Sequence, residues 1–200
     1  MILDKYGVGQ DPYCYPGSLV LRNRLNILDE DLLTLAERDI TTVSAGEIRF
    51  QLPPYDFSYL CRMHRELFID IYDWAGQVRT VDISKADTRF CNVGRIRPEA
   101  DKLFHTLANA NWLEGCDRIE LVKRVSEFYG DLNVIHPFRD GNGRAQRLLF
   151  EHLIINAGYQ IDWWQVSRDE WVQANIAAVV CDYKPLVAVF DRCIGQRISP

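Results

Sequence analysis

Apolar residues recur every three or four positions in several separate stretches of this 200-residue chain, a spacing that is typical of amphipathic helices. The clearest stretch is SYLCRMHRELFIDIYDWAG, residues 58–76. Asp56 or Ser58 can cap its start, and Gly76 stands where the helix would end. The apolar positions of this stretch are Leu60, Met63, Leu67, Phe68, Ile71 and Tyr72. The pattern predicts one long helix that buries this stripe.

The same periodicity predicts six more helices, which leaves little of the chain for other elements. Asp117 is suited to cap one of the longer helices, since aspartate accepts hydrogen bonds from the first free amides. The buried stripe of that helix is expected to contain Ile119, Val122, Val125, Tyr129 and Leu132. The six predicted segments are residues 26–38, 98–111, 117–133, 144–158, 167–180 and 185–194.

Alternation of apolar and polar residues is convincing at one place, RTVDISKADTRF. Val81 and Ile83 alternate there with polar residues, and a turn-like polar stretch follows at residues 85–88. The sequence therefore predicts a short β-hairpin over residues 79–90. No repeat, low-complexity stretch or linker interrupts the chain, so it is expected to form one domain.

The predicted domain spans residues 1–200 and is mostly α-helical, with residues 1–25 as an ordered arm rich in glycine, proline and tyrosine. The net charge of −5 makes the whole molecule a poor match for nucleic acid or an anionic membrane. No apolar run approaches the roughly 20 residues of a membrane span. The six cysteines are scattered without a CxxC pair, which argues against a zinc ribbon or a disulfide scaffold. A cytoplasmic protein with reduced thiols and no signal peptide is the expectation.

The densest polar chemistry lies between two predicted helices, in NVIHPFRDGNGRAQR, residues 133–147. The first amides of a helix lack partners within the helix and carry the positive end of its dipole. Gly141 and Gly143 leave room for an anion to approach these amides. Arg144 and Arg147 stand three residues apart, so both project from one side of the helix. The segment therefore predicts a polyphosphate site.

Two further residues of this segment add catalytic chemistry. Asp140 would repel a bare phosphate unless Mg²⁺ lay between them, bound through one carboxylate, the phosphates and waters. His136 can take a proton from an attacking hydroxyl. Together they describe one reaction, in which that hydroxyl attacks a phosphorus of a Mg-bound nucleoside triphosphate. Phe138 is expected to turn inward and anchor the loop.

Each of these features has an ordinary structural explanation when it stands alone. HPF is usually a turn with a packed ring, GNG is usually a helix entry, and an arginine pair is usually a solvated face. Their combination favours a catalytic site, because one structural turn does not need all of them. The other histidines, His64, His105 and His152, are predicted to pack in the core or to lie at the surface.

The segment HPFRDGNGRAQR resembles the signature of the Fic family, HxFx(D/E)GNGRxxR, at every fixed position. The upstream stretch MHRELFIDIYDWAGQVRTVDIS is similar to the helix and flap that precede this motif in Fic proteins, and DPYCYPGSLVLRNRLNI resembles the opening of the short bacterial Fic toxins. The resemblance implies an all-α Fic fold, with about seven to eight helices and one β-hairpin flap near the active site. It also implies transfer of AMP from ATP to a hydroxyl side chain of a target protein, with release of pyrophosphate.

The resemblance assigns roles within residues 136–147. His136 would be the general base, Asp140 would hold Mg²⁺, Arg144 would grip the β- and γ-phosphates and Arg147 the γ-phosphate. The residues implied to cradle the phosphates are Gly141, Asn142 and Gly143. The flap would add the target segment as a strand, through Val81, Asp82, Ile83 and Ser84.

Two alternatives to AMP transfer stay open. Relatives use the same site to transfer UMP, phosphocholine or phosphate, although the phosphorylating relatives carry Ala-Asn-Lys where this chain has Gly-Asn-Gly-Arg at residues 141–144. A catalytically silent Fic-like domain that only binds proteins is the second alternative. Gln173 and Asn175, on a predicted helix, are candidates for contacts with adenine.

The resemblance also predicts how the enzyme is controlled. Fic enzymes are commonly inhibited by a glutamate in the pattern (S/T)xxxE(G/N), which pairs with the second arginine of the motif. No glutamate of this sequence fits, since the nearest, Glu114 followed by Gly115, has Ala110 where serine or threonine is required. A separate small antitoxin is therefore expected to supply the glutamate in trans, to pair with a buried Arg147 and to cover an apolar patch. The ATPase subunit of type II topoisomerases is the expected target.

Overall fold

Seven α-helices dominate the computed structural model, which describes residues 11–85 and 88–198. A mostly helical fold is thus confirmed. The helices are α1 (Glu30–Glu47), α2 (Phe57–Phe68), α3 (Val93–Asn109), α4 (Arg118–Ile135), α5 (Asn142–Asn156), α6 (Arg168–Val179) and α7 (Lys184–Cys193). Single 3₁₀ turns follow α3, at Asn111–Leu113, and precede α6, at Trp163–Gln165.

Two small antiparallel sheets accompany the helices in the described part of the chain. Strands β1 (Ser84–Lys85) and β2 (Thr88–Arg89) form the predicted hairpin, with Ser84 opposite Arg89. Its ladder is much shorter than the predicted span of residues 79–90. A second sheet, which was not predicted, pairs β3 (Tyr159–Ile161) with β4 (Ile194–Arg197), and it is not a hairpin because α6 and α7 lie between its strands.

The core lies between α2, α4 and α5, with α5 packed against the other two helices. Tyr129 of α4, Phe150 of α5 and Phe190 of α7 are all buried, and the Tyr129 ring centroid lies 4.8 Å from that of Phe150. Full burial of one such side chain contributes roughly 1.5–3 kcal/mol. Helices α4 and α5 are therefore packed together on either side of the loop that joins them, and this loop carries the predicted motif.

The helix caps follow the sequence closely. Asp56 accepts a hydrogen bond from the Tyr59 amide at 2.7 Å, and Asp117 accepts one from the Glu120 amide at 2.9 Å. Both side chains satisfy amides that have no partner within their helices. Asp56, rather than Ser58, is therefore the cap of α2.

The far end of α2 differs from the prediction. The helix ends at Phe68, well before Gly76, and the chain then turns, with the Ile71 amide 2.9 Å from the Phe68 carbonyl. Ile71 and Tyr72 are nevertheless buried. The apolar spacing continues beyond the end of the helix because the turn folds back and buries Ile71 and Tyr72 in the same core.

Three other details also differ from the predictions. Helix α1 begins at Glu30, after Asp29 as its cap, and continues to Glu47. Helix α3 begins at Val93, five residues before Pro98, because Asn92 caps it through the Gly94 amide. Ile119, placed in the buried stripe of α4, is 84% exposed.

The six cysteines all lie in the described ranges and form no disulfide. Across residues 11–85 and 88–198, none of the helices combines the length and the apolar character that crossing a bilayer requires. Of the predicted arm, residues 1–10 lie outside the described residues, and residues 11–25 run against the body of the domain. The Arg24 amide, for example, donates to the Ile71 carbonyl at 2.8 Å.

Candidate active site

The loop between α4 and α5 is closed by its own side chains. His136 ends α4 in the left-handed conformation, with φ of 46°, and its amide still donates to the Leu132 carbonyl. The Asn142 amide group pairs with the backbone of Phe138 through two hydrogen bonds of 2.8 Å. Phe138 is fully buried, as predicted. Asn142 therefore braces the loop with its side chain, and only its backbone remains for an anion.

Two contacts fix the orientation of the His136 imidazole. Its ring stacks on Phe90 with centroids 3.8 Å apart, and Nδ1 lies 3.1 Å from the Asn133 carbonyl. Because a carbonyl accepts but does not donate, Nδ1 carries the proton and Nε2 keeps its lone pair. Burial lowers the pKa of His136 to about 4, so the ring is neutral at neutral pH.

Arg79, which no sequence motif marks, organises this region. Its guanidinium is buried and donates to the carbonyls of His136 at 2.9 Å, of Val81 at 2.6 Å and of Cys91. Its own amide donates to the Pro137 carbonyl at 2.9 Å. One side chain thus joins the catalytic loop to the segments on both sides of the flap.

His64 braces the other end of the loop from α2. Its Nδ1 accepts from the Gly76 amide at 2.9 Å, so Nε2 carries the proton and donates to the Asp140 carbonyl at 2.9 Å. The ring also stacks on Phe138, with centroids 3.9 Å apart. The prediction that His64 packs in the core is confirmed, but its contacts with the loop could not be read from the sequence. His152 is likewise buried, and His105 is exposed.

The start of α5 is where the sequence predicts the polyphosphate site. Gly141 precedes the helix with φ of 76°, and a Cβ on Gly143 would meet open space. The carboxylate of Asp140 accepts from the Gly141 amide at 2.5 Å. The Arg144 guanidinium lies 4.6 Å from the centroid of the Phe68 ring, beside these amides. Backbone donors, a carboxylate and an arginine therefore converge at one helix end.

Arg147 lies one turn further along α5 and is exposed, so the prediction that it is buried is wrong. Its Nε is 3.5 Å from the Gly143 carbonyl, and its guanidinium carbon is 6.0 Å from the Trp171 ring centroid. Arg147 is exposed because, of the other described elements, only α6 contacts it, from one side, through Trp171. The guanidinium is accessible to a ligand or to a partner protein.

The Asp140 carboxylate suits a Mg²⁺ ion whose other ligands are phosphate oxygens and waters. Its side chain is 43% exposed, and it stands between the amides of α5 and Arg144, whose Nη2 is 3.9 Å away. The described residues contain no cluster of three or more histidine, cysteine, aspartate or glutamate side chains that could hold a metal by themselves. A single carboxylate fits Mg²⁺, which usually takes one or two protein carboxylates with phosphates and waters.

The four predicted flap residues have different environments. Ser84 lies in β1, whereas Val81, Asp82 and Ile83 precede the strand. Ile83 is buried, and its carbonyl accepts from the Phe90 amide at 3.3 Å. Asp82 accepts from the Asn92 side chain at 2.7 Å and thereby ties the flap to the start of α3.

The two candidates for adenine contact lie on α6. Gln173 is exposed, and Asn175 is half-buried. The amide nitrogen of Asn175 donates to the Trp171 carbonyl at 2.8 Å, while its buried Oδ1 has no hydrogen-bond partner among the described residues. Because this oxygen is buried, it does not face solvent, and adenine contact by Gln173 or Asn175 stays a prediction.

The Fic/DOC family matches residues 54–154, and the chain belongs to this family. The "Probable protein adenylyltransferase Fic" of Escherichia coli (strain K12) is 39% identical over 96% of both chains, and the protein of the same name in Salmonella typhimurium is 40% identical over 96% of both. Among solved structures, the BepC protein of Bartonella tribocorum with bound AMPPNP superposes with a TM-score of 0.85. It is 27% identical, over 92% of this chain and 97% of that one. The Fic fold predicted from the motif is thereby confirmed.

We expect Gly141→Ala to destabilise the loop, because an added Cβ would come within 2.5 Å of Phe68 Cε2 in a left-handed backbone. A loss of about 1–3 kcal/mol in the free energy of unfolding is expected, measured by urea denaturation. Gly143→Ala is the matched control, since its Cβ meets nothing within 4 Å. Equal stability of the two variants would show that Gly141 is not under this constraint.

Proposed function

We propose that this protein transfers AMP from ATP to a hydroxyl side chain of a target protein. The observation that carries the proposal is the neutral His136, with Nε2 available, placed one loop away from the amides and arginines of α5. A base and a polyphosphate site that are joined by one short loop can act on a hydroxyl and a nucleotide together. The adenylyltransferase names of the relatives and the AMPPNP bound by BepC support the same reading.

In the proposed reaction, His136 Nε2 takes the proton of the target hydroxyl as its oxygen attacks the α-phosphorus of ATP. The bond between the α-phosphorus and the oxygen bridging to the β-phosphate breaks, and pyrophosphate leaves. Arg144 and Arg147 hold the negative charge of the leaving group, and the amides of Asn142 and Gly143 face the phosphates. Gly141 forms the turn beside them, and its own amide donates to the Asp140 carboxylate. Mg²⁺, held by Asp140, would neutralise phosphate charge when bound.

The flap is the proposed docking place for the target segment, which would pair with its backbone as an added strand. Val81 and Ser84 are half-exposed there, whereas Ile83 is buried and Asp82 ties the flap to the start of α3. The ATPase subunit of type II topoisomerases remains our candidate target, on the resemblance to bacterial Fic toxins. We place the reaction in the cytoplasm, where ATP is available and cysteines without disulfides are the rule.

We further propose that the protein is the toxin of a toxin–antitoxin pair, because no glutamate in the sequence fits the inhibitory pattern. The exposed Arg147 supports this, since a partner's carboxylate can reach it. The outer face of α1 also supports it, because it carries exposed apolar side chains that a small protein could cover. These are Leu32, Leu35 and Val43, with Leu28 just before the helix.

His136→Ala should abolish target modification while leaving ATP binding intact, since general-base assistance is typically worth about 10²–10⁴-fold. The measurement is intact-mass spectrometry of proteins from a bacterial lysate after incubation with ATP and the purified enzyme. His105→Ala is the control, because His105 is an exposed histidine on α3. A mass gain of AMP supports the proposal, whereas a different added group, or none with the wild type, would replace it with one of the two alternatives.

The pKa of His136 should be low in the free protein. Burial disfavours the charged imidazolium and lowers the pKa to about 4, so the neutral base persists until the pH falls through that value. NMR titration of the ring protons, assigned with His136→Ala, measures the midpoint directly. A midpoint near the ordinary pKa of about 6.5 would show that the ring is solvated rather than buried.

Expression of this protein alone should arrest bacterial growth, whereas co-expression with the neighbouring open reading frame should restore it. Replacing the inhibitory glutamate of that partner by glycine should release activity without dissociating the complex, because apolar contacts would still hold it. His136→Ala is the matched control and should be harmless alone. Harmless expression of an active wild-type enzyme would contradict the toxin–antitoxin proposal but not AMP transfer.

A further inference from the structure

The guanidinium of Arg144 has a fixed partner on the first helix, far away in the sequence. Its Nη2 contacts Glu37 Oε1, and its Nη1 lies 3.4 Å from Thr41 Oγ1 one turn further along α1. The second carboxylate oxygen of Glu37 accepts a hydrogen bond from the Tyr72 hydroxyl. Tyr72, Glu37 and Arg144 thus form one chain of contacts that ends at the start of α5.

This chain is shielded from solvent along its length. The Glu37 side chain is 13% exposed and that of Arg144 is 31% exposed, while Tyr72 and Thr41 are buried. Burial and the neighbouring carboxylate raise the pKa of Tyr72, which keeps its hydroxyl protonated as the donor. Shielded, charge-assisted hydrogen bonds are stronger than neutral ones, so Glu37 cannot easily leave Arg144.

The contact leaves Arg144 able to bind a ligand. A guanidinium has five N–H donors, and Glu37 and Thr41 each face one of its terminal nitrogens. The Phe68 ring also restricts the guanidinium, because its centroid lies 4.6 Å from the guanidinium carbon. Held between a carboxylate and an aromatic face, the arginine keeps one orientation while donors remain for phosphate oxygens.

We infer that Glu37 is a positioning residue for the proposed AMP transfer, which acts by orienting Arg144 towards the β- and γ-phosphates without touching the nucleotide itself. The inference rests on the proposed function in its choice of ligand. A carboxylate fixed by Tyr72 is suited to this task, because it orders the arginine before the nucleotide arrives. A mobile carboxylate in the same place would instead compete with the phosphates.

Nucleotide binding tests the inference without relying on transfer. Glu37→Gln keeps the size of the side chain and removes its charge, and it should weaken AMPPNP binding about tenfold, as for one lost charge-assisted hydrogen bond. AMP lacks the phosphates that Arg144 would hold, so its affinity should stay within about twofold. Asp39→Asn is the matched control on the exposed side of α1, and it should bind both nucleotides like the wild type. Isothermal titration calorimetry supplies the dissociation constants.

A double-mutant cycle separates positioning from general structural support. If Glu37 acts through Arg144, adding Glu37→Gln to Arg144→Ala should change AMPPNP affinity less than about twofold. An equal loss in both backgrounds, or an equal loss for AMP and AMPPNP, would overturn the inference in favour of a structural role. Tighter AMPPNP binding by Glu37→Gln would overturn it in favour of a built-in competitor.

Tyr72→Phe provides a second variant that keeps both charges. It removes one donor to Glu37 and should weaken AMPPNP binding in the same direction but by a smaller factor, with AMP unaffected. Unchanged AMPPNP binding by both Tyr72→Phe and a folded Glu37→Gln would also refute the inference. If these binding results hold while no AMP is transferred to any protein, the positioning role survives and the proposed function fails.

Discussion

The buried guanidinium of Arg79 is the interaction on which the site depends most. It donates to carbonyls at the end of α4, before the flap and after the flap, and its backbone donates to the catalytic loop. Burying a charge in this way is costly unless every donor is satisfied. Backbone oxygens, which cannot rotate away, accept four of these hydrogen bonds, and the Asp82 carboxylate lies 3.8 Å from Nη1. The flap and His136, the proposed general base, are therefore fixed to each other through one side chain.

A second constraint is that two neutral imidazoles brace opposite ends of the same short loop. Burial lowers the pKa of both His64 and His136 to about 4, and each ring has its protonated nitrogen set by a backbone carbonyl. The two rings are therefore different tautomers, with the proton on Nε2 in His64 and on Nδ1 in His136. His64 uses its proton to hold the Asp140 carbonyl, while His136 uses its proton to hold the Asn133 carbonyl and leaves Nε2 for chemistry. One residue type can serve as a brace and, on the proposed function, as a base, because a backbone carbonyl lies at Nε2 of His64 and at Nδ1 of His136.

The sequence was sufficient where structure depends on local spacing. Helix positions, the Asp117 cap and the inward turn of Phe138 follow from periodicity and capping, which act over a few residues. The contacts of Arg79 with His136 and of His64 with Asp140 join residues 57 and 76 positions apart. No local pattern marks such a pair, because the partner atoms are backbone carbonyls that every residue has. The β3–β4 sheet was missed for a related reason, since strands of three and four residues carry little alternation.

The two arginines of the motif show how one helix face can present different environments within a single turn. Arg144 is held by α1 and α2, through Glu37 and Phe68, whereas Arg147 stands exposed beside Trp171 of α6. Ordering a free arginine costs up to about 2 kcal/mol of rotamer entropy, and a held arginine has already lost most of that freedom. On the proposed function, Arg144 can therefore bind the polyphosphate without first being ordered. Arg147 is the arginine that another protein can reach, so control from outside would act most effectively there.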